Sequence, residues 1–265
     1  MTVFNDKEVE RIHREYCRRD ALGLSKIYCY ANPAYLFHIQ EREWEILRLL
    51  RDENINLAKC RILEVGCGTG HILQRFLEFG AREATGIDLM ENRIQTGKMK
   101  YPLLHLMRGN AGRLPYKESS FDLVMQFMCL SSVLDPLMRQ QIADEMWRVL
   151  RPGGTILSYD LRPIPSSVRV LYLPFYFFRR IFRVLVAKPN QDRAGIEGQT
   201  SPTPIRPLAI AEIKKLFFDG WMRCFTVSLD FNLAGIAGTS LFLANLLSYI
   251  PFLRTHYLVF VHKPS

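Results

Sequence analysis

Residues 63–70 read Leu-Glu-Val-Gly-Cys-Gly-Thr-Gly and follow directly on an apolar start that is typical of a buried strand. The glycines at 66, 68 and 70 stand at alternating positions, so the backbone can turn sharply and approach a ligand where a Cβ atom would clash. A helical pattern begins at His71, and the free N–H groups of its first turn would face a negatively charged group. We therefore predict a ligand-binding turn between a strand and a helix.

The residues around this turn narrow the choice of ligand. The spacing Gly-x-Gly-x-Gly differs from the Gly-x-Gly-x-x-Gly of dinucleotide-binding proteins, and no Lys-Ser or Lys-Thr pair follows it as in nucleoside-triphosphate loops. Glu64 would repel a pyrophosphate and attract an ammonium group. Asp88 ends the next apolar segment, 24 residues after Glu64, where a carboxylate can accept hydrogen bonds from both hydroxyls of a ribose.

Residues 109–115 follow a third apolar segment and are placed to contact the edge of an adenine. The predicted ligand therefore has a carboxylate, an ammonium, a ribose and an adenine, and it has no phosphate. S-adenosylmethionine fits that description, whereas NAD and ATP do not.

Short apolar segments alternate with helical patterns on both sides of the turn. The apolar segments are residues 62–65, 84–88, 103–107, 121–127 and 154–159, and the helical patterns are residues 71–79, 91–99 and 136–150. This alternation predicts an α/β fold in which a parallel sheet carries helices on both faces.

The chain resembles the class I methyltransferases that use S-adenosylmethionine. Five blocks over about residues 60–160 occur in the order that this family has: Glu64-x-Gly-x-Gly-x-Gly70, Gly86-Ile-Asp88, Gly109-Asn-Ala-x-x-Leu-Pro115, Ser120-Phe-Asp-Leu-Val124 and Trp147-Arg-Val-Leu-Arg-Pro-Gly-Gly154. The resemblance implies a seven-stranded, mostly parallel sheet in the order 3-2-1-4-5-7-6 with the last strand antiparallel. It also implies that S-adenosylmethionine binds at the carboxyl ends of strands 1, 2 and 4.

The same resemblance implies roles for individual residues. The methionine end of the cofactor would lie against the glycine-rich turn: Glu64, Gly66, Cys67, Gly68 and Gly70. The ribose and the adenine would be held by the residues that follow the second and third strands: Asp88, Leu89, Asn110 and Ala111. Gln126 would lie near the sulfonium. Asn110 departs from the family pattern, in which relatives often have Asp.

Composition divides the chain into two regions, the second of which contains an insert. Residues 1–58 read as a helical N-terminal cap, residues 59–265 as the cofactor-binding domain, and residues 161–205 as an insert or lid on the acceptor side of that domain. Between Asp160 and Asp192 there are six basic residues and no acid, and aromatic residues alternate with arginines over residues 168–186. This pattern favours a peripheral membrane contact or a lid over a hydrophobic acceptor. The alternative is a helix that packs on its own domain or in a homodimer interface.

Methyl transfer requires alignment of the acceptor and, if the acceptor is a hydroxyl, a base. Asp160 follows the fifth strand and His256 opens the last one, so both are candidate catalytic residues. The alternatives are a loop-capping carboxylate for Asp160 and a structural histidine for His256. A shorter resemblance to a subgroup associated with bacterial surface-glycan and small-molecule biosynthesis suggests three acceptor-binding residues: Tyr159, Arg162 and Arg206.

The charge and the cysteine content indicate which kinds of site and which cellular location to expect. The chain has 265 residues, with 35 Lys and Arg against 26 Asp and Glu, which gives a net charge of +9. Its six cysteines form no Cys-x-x-Cys pair, so we expect neither a disulfide framework nor a zinc or other metal site. The charged N-terminal stretch has no apolar signal segment, and we expect a cytoplasmic protein that can also lie at the inner face of the membrane.

These observations predict a methyltransferase that transfers a methyl group from S-adenosylmethionine to an oxygen, or secondarily a nitrogen, of a hydrophobic small molecule or a lipid-linked glycan intermediate. The net charge of +9 suggests a nucleic-acid methyltransferase as an alternative. Since the chain carries no recognisable target-recognition module, we do not expect a nucleic-acid partner. A third hypothesis is a non-catalytic interaction protein with the same fold.

Overall fold

The computed structural model describes residues 6–23, 28–164 and 204–265, together with Val168, Val170, Tyr172, Leu173, Pro174 and Phe177. Its strands are β1 (Arg61–Val65), β2 (Glu83–Asp88), β3 (His105–Arg108), β4 (Phe121–Phe127), β5 (Leu150–Leu161), β6 (Trp221–Leu229) and β7 (Arg254–His262). The helices of the described residues are α1 (Asp6–Ala21), α2 (Pro33–Asp52), α3 (His71–Glu78), α4 (Glu91–Lys100), α5 (Pro136–Val149), α6 (Ile210–Leu216), α7 (Phe231–Ala234) and α8 (Leu241–Ser248).

All seven strands form one sheet in the order β3-β2-β1-β4-β5-β7-β6. Strands β1 to β5 pair in parallel, and β7 runs antiparallel between β5 and β6. The predicted strand order and the antiparallel last strand are thus confirmed. Because the strand order reverses between β1 and β4, their carboxyl ends open into a crevice where α/β proteins commonly bind ligands.

Helices cover both faces of the sheet because its central strands are apolar on both sides. In β1, Ile62 and Leu63 are fully buried and belong to two separate hydrophobic clusters. The first cluster joins the sheet to α2, α3 and α4, and the second joins it to α1, α5 and α6.

Helix α1 is fastened to the loop that follows β4. The buried carboxylate of Glu8 accepts hydrogen bonds from the backbone amide of Leu134 at 2.6 Å and from Arg11 at 2.7 Å. Burial alone would raise the pKa of Glu8, but these hydrogen bonds hold it below its ordinary value. Arg11 in turn donates to the carbonyl of Ser132 at 2.7 Å. The N-terminal helix is therefore docked beside the crevice.

Helix α2 begins at a capped turn and continues into the main core. The side chain of Asn32 accepts a hydrogen bond from the amide of Ala34 at 3.1 Å, and Pro33 occupies the first helical position. Further along the helix, Ile46 and Leu49 are buried in the cluster shared with the sheet. The helical content expected of residues 1–58 is present, while their separation as a distinct cap stays a prediction.

Most of the predicted insert, residues 161–205, lies outside the described residues, and so does most of the segment 168–186. Within the part of the chain that the structure describes, every helix is too short or too polar to span a bilayer.

Candidate active site

A cavity of about 1030 Å³ lies at the carboxyl ends of β1, β2 and β4. Helix α1 contributes Ile12 and Tyr16 to its lining, and α2 contributes His38 and Arg42. The two N-terminal helices therefore form the roof of the crevice that the strand order creates.

The turn between β1 and α3 forms one wall of this cavity. Gly66, Gly68 and Gly70 have φ angles of 74°, 56° and 79°, in the left-handed region that favours glycine. The backbone amides of Gly66 and Cys67 both donate to the carbonyl of Ile87 in β2, at 2.8 and 3.1 Å. The turn is thereby held tightly against the neighbouring strand.

The glycines of the turn differ in the space around them. A Cβ atom on Gly66 would lie 2.9 Å from both Cβ and Sγ of Cys129, which belongs to the loop after β4. A Cβ atom on Gly68 would meet nothing within 4 Å. Gly66 therefore packs directly against Cys129, whereas the space beside Gly68 is free of protein atoms.

Glu64 brings a buried carboxyl group to the cavity. Its side chain is about 1% exposed, and its Oε2 atom has no hydrogen-bond partner among the described residues. Burial raises the pKa of Glu64 well above its ordinary value, whereas the positive charge of Arg42 acts in the opposite direction. An orphaned carboxylate oxygen of this kind is suited to a cationic hydrogen-bond donor.

Asp88 is held by the backbone at the end of β2. Its Oδ2 atom accepts from the amide of Gly68 and its Oδ1 atom from the amide of Met90, both at 2.8 Å. Because each carboxylate oxygen can accept a second hydrogen bond, Asp88 can still bind two hydroxyl groups.

The residues that follow β2 and β3 also line the cavity: Leu89 after β2, and Asn110 and Ala111 after β3. The Oδ1 atom of Asn110 accepts from the amide of Gly112 at 2.8 Å, so its side chain presents an NH₂ donor to a ligand. Asp at this position would present only acceptors.

Of the residues predicted to contact the cofactor, Gly70 and Gln126 do not border the cavity. Gln126 is fully buried beneath the loop after β4, where its Oε1 atom accepts from the amides of Cys129 and Leu130 at 2.8 and 3.3 Å. Its Nε2 atom donates to Ser158 at 2.6 Å. Oε1 thus holds the loop, and Nε2 ties the side chain to β5.

Asp160 belongs to the same buried network and does not border the cavity either. Its carboxylate accepts from the amides of Ser131 and Leu161, at 3.0 and 2.8 Å, and from Gln126 at 3.2 Å. Burial raises the pKa of Asp160, and these hydrogen bonds act against that increase. This arrangement supports the loop-capping alternative rather than contact with an acceptor.

Tyr159 and His256 face the cavity together, beyond the glycine-rich turn. Their rings stack with centroids 4.6 Å apart, and the Tyr159 hydroxyl lies 2.7 Å from the Ser228 hydroxyl. The hydroxyl oxygen of Thr255 lies 3.2 Å from the carbonyl oxygen of Ser228 and 2.9 Å from Nδ1 of His256. These contacts hold the His256 ring in its orientation toward the cavity.

Burial keeps the histidines of the cavity neutral. It lowers the pKa of His38 and of His71 to about 4, and it lowers the pKa of His256 well below its ordinary value, with further contributions from His38 and Arg42. His38 donates from Nε2 to the carbonyl of Leu229 and contacts the ring of His256 edge-on, with centroids 5.9 Å apart.

Arg162 and Arg206, which we expected to bind the acceptor, do not border the cavity. The backbone amide of Arg162 donates to the carbonyl of Thr255 at 3.0 Å. The side chain of Arg206 is 46% exposed and pairs with Glu212 at 3.3 Å. The structure therefore does not bring these two arginines together with Tyr159.

Sequence reasoning missed the polar residues of the roof, above all His38 and Arg42. Both precede the glycine-rich turn in a stretch whose charged residues are typical of a solvated helix face. No motif marks them, because the docking of α2 across the sheet is what brings them to the cavity.

The described residues form neither a metal site nor a disulfide. Among the described residues, no group of three or more His, Cys, Asp and Glu side chains could hold a metal ion. All six cysteines are free thiols, and burial raises the pKa of Cys67 and of Cys129, so both are uncharged.

We expect Gly66→Ala to lower the free energy of unfolding by about 2–4 kcal/mol, because the new Cβ atom adds a clash with Cys129 to the cost of a left-handed backbone. Gly68→Ala is the matched control, since it has the same backbone strain but open space, and we expect a loss of about 1–2 kcal/mol. Urea denaturation of both variants measures the difference. Equal losses would contradict the close approach at Gly66.

Comparison with known proteins agrees with this geometry. Residues 63–158 match a family described as a methyltransferase domain. The demethylmenaquinone methyltransferase of Staphylococcus aureus (strain MRSA252) is 30% identical over 222 residues, which cover 80% of this chain and 85% of that protein.

Solved structures share the fold at lower identity. An S-adenosylmethionine-dependent methyltransferase from Mesorhizobium loti superimposes with a TM-score of 0.55 at 18% identity, over 82% of this chain and 96% of the other. One from Methanosarcina mazei gives a TM-score of 0.54 at 19% identity, over 80% and 96% of the two chains. From its fold, its glycine-rich turn and its relatives, the chain belongs to the class I methyltransferases that depend on S-adenosylmethionine.

Proposed function

We propose that the glycine-rich turn, Glu64, Asp88 and the loop at Asn110 hold S-adenosylmethionine in the cavity. The residues present fit this cofactor. The orphaned oxygen of Glu64 suits the ammonium group, and the open space at Gly68 admits the ligand backbone. The spare acceptor capacity of Asp88 suits the ribose hydroxyls, and the NH₂ of Asn110 can donate to a ring nitrogen of adenine.

Asp88→Ala should weaken binding of S-adenosylhomocysteine, the demethylated product, by about 10- to 100-fold, because two charge-assisted hydrogen bonds to the ribose are lost. Isothermal titration calorimetry measures the change. Glu91→Gln is the matched control, because Glu91 is an exposed acid in the first turn of α4 and does not border the cavity. If Asp88→Ala binds as tightly as the control, Asp88 does not hold the ribose.

We propose a hydrophobic small molecule as the methyl acceptor. The part of the cavity beyond the glycine-rich turn is lined by the rings of Phe127, Tyr159 and Phe231. Aromatic walls favour a flat or extended apolar ligand. The relative from Staphylococcus aureus is named for demethylmenaquinone as its acceptor, and this name supports the same class of substrate for the present chain.

We propose that the methyl group goes to an acceptor oxygen and that His256 removes the proton of that hydroxyl. The cofactor, when bound, supplies a methyl group on a positively charged sulfur. When the acceptor hydroxyl takes this methyl group from the sulfur, the imidazole of His256 would accept the proton that the hydroxyl loses. Two features support this role: the cavity-facing position of His256 and its neutral ring.

His256→Gln should lower kcat by about 10²-fold or more while leaving affinity for S-adenosylhomocysteine unchanged. The assay follows S-adenosylhomocysteine release with 2-naphthol as the acceptor, and mass spectrometry of the product distinguishes a methyl ether from a ring-methylated compound. His105→Gln, an exposed histidine on β3, is the control.

The pH dependence provides a second readout for His256. Since the folded-state pKa of His256 lies well below 6.5, its neutral form persists as the pH falls through 6.5, and activity should decline only in more acidic solution. A decline centred near 6.5, or a ring-methylated product, would contradict this assignment.

We propose that α8 contacts a membrane surface with anionic headgroups, from which a hydrophobic acceptor can be taken. Leu241, Phe242 and Leu246 on α8 are 57%, 80% and 54% exposed. Three described residues of the insert, Val170, Leu173 and Phe177, are also exposed. The insert sequence adds six basic residues without an acid between Asp160 and Asp192, which complements anionic lipid.

Phe242→Ser should reduce co-sedimentation with vesicles of phosphatidylcholine and phosphatidylglycerol by about 10-fold, because one exposed aromatic ring no longer inserts. Phe218→Ser, at another side chain that is 77% exposed, should change it little. If vesicle binding is unchanged and sedimentation equilibrium instead shows a dimer that the Phe242 variant dissociates, the face is a homodimer interface.

A further inference from the structure

Two histidines from distant parts of the chain meet in the cavity. His38 lies on α2 and His256 on β7, and both line the cavity. Their rings are in edge-on contact, with centroids 5.9 Å apart and ring planes at 85° to each other. The proposed proton transfer uses His256 alone, so His38 is a polar group of the cavity that still has no assigned role.

The hydrogen-bond partner of His38 determines which of its nitrogens carries the proton. Its Nε2 atom is hydrogen-bonded to the carbonyl oxygen of Leu229, and a carbonyl oxygen can only accept. Nε2 is therefore the donor. Burial lowers the pKa of His38 to about 4, so the ring is neutral and carries a single proton. Nδ1 of His38 is consequently a hydrogen-bond acceptor.

This acceptor is held in place and has no partner within the protein. Leu229 at the end of β6 binds one side of the His38 ring, and Phe231 contacts the ring edge-on with centroids 5.3 Å apart. Within the part of the chain that the structure describes, no donor is hydrogen-bonded to Nδ1 of His38. An acceptor that is already oriented loses little freedom when a ligand binds to it.

Two neighbouring acceptors suit a ligand with two neighbouring donors. The hydroxyl that is methylated would lie beside His256, and a second hydroxyl could donate to His38. Hydrogen bonds of this kind span only about 3 Å, so hydroxyls that reach two rings in contact with each other lie near one another. Hydroxyls on adjacent carbons of one aromatic ring meet this condition, and a flat ring also suits the aromatic lining of the cavity.

We infer that His38 is a second acceptor-binding residue and that the methyl acceptor is an aromatic diol with adjacent hydroxyl groups. The inference rests on the proposed function, because it specifies the acceptor whose hydroxyl lies beside His256. The second hydroxyl donates to Nδ1 of His38 and keeps its proton, so no covalent bond to it is made or broken.

This arrangement also limits the reaction to one methyl group. After the transfer, the methylated oxygen has no hydrogen to donate, so the product cannot give a hydrogen bond to both histidines. We therefore expect the monomethyl ether of the diol to be the main product.

The test measures binding of the acceptor without turnover. The full chain, saturated with S-adenosylhomocysteine, is titrated calorimetrically with 2,3-dihydroxynaphthalene, whose hydroxyls are adjacent, and with 2-naphthol, which lacks the second hydroxyl. A third ligand, 2,7-dihydroxynaphthalene, carries two distant hydroxyls and controls for added polarity. The same titrations are made with His38→Phe, which keeps a ring but has no nitrogen, and with His105→Phe, at the exposed histidine on β3.

For the unmodified chain and for His105→Phe, we expect the adjacent diol to bind about 5- to 10-fold more tightly than 2-naphthol, because it forms one more hydrogen bond. His38→Phe should bind the two ligands with similar affinity, and its binding of 2-naphthol shows that it is folded. His38→Gln, which keeps a donor for the carbonyl of Leu229, should lose the preference for the diol as well. Since each comparison is between two ligands of one variant, a general loss of stability cannot produce this result.

Four results would overturn the inference, and they differ in what they leave standing. If the unmodified chain binds the adjacent diol and 2-naphthol equally, the acceptor has a single bound hydroxyl and the proposed function remains. If His38→Phe keeps the full preference, another group binds the second hydroxyl. If the 2,7-diol binds as tightly as the adjacent diol, added polarity explains the preference. If the unmodified chain binds none of the three, the proposed hydrophobic acceptor is itself wrong.

Discussion

The site depends on the close approach of the β1–α3 turn to β2 and to the loop after β4. Gly66 has a left-handed backbone, donates its amide to Ile87, and has no room for a Cβ atom beside Cys129. These requirements fix the turn relative to the sheet. Asp88 directly follows Ile87, and its carboxylate accepts from the same turn. Because of this backbone geometry, the residues at the carboxyl ends of β1 and β2 line the same cavity.

A second constraint is the buried polar network beneath the loop after β4. Met128 in that loop has a φ angle of 61°, which is unfavourable for a residue with a side chain and is typical of positions held by their surroundings. Gln126 and Asp160 supply that support, because their side-chain oxygens accept hydrogen bonds from the backbone amides of residues 129–131. Because a half-satisfied buried network would be costly, its members are structurally interdependent. Asp160 therefore supports the loop after β4, which borders the cavity, although its own side chain does not border the cavity.

The helical roof completes the site with charges that the sheet does not provide. Arg42 on α2 lies over Phe127 and Tyr159, and His38 on the same helix contacts His256 on β7. Burial keeps the histidines neutral, so the positive charge that α2 brings to the cavity is that of Arg42. A buried polar group without a partner costs a folded chain stability, so each such group in the cavity calls for an explanation such as a ligand, a water or a catalytic role.

The sequence alone predicted the glycine-rich turn, the cofactor and the positions of Glu64, Asp88 and Asn110, because these features depend on local backbone requirements at fixed spacing. The strand order was predicted from the resemblance to a known family. It did not reveal that the side chains of Gln126 and Asp160 face the loop and away from the cavity. Nor did it reveal that α2 brings His38 and Arg42 to the cavity, because the charged residues of this helix are typical of a solvent-exposed face. Those features depend on how distant elements pack across the sheet, and only the tertiary structure decides which partner each polar side chain finds.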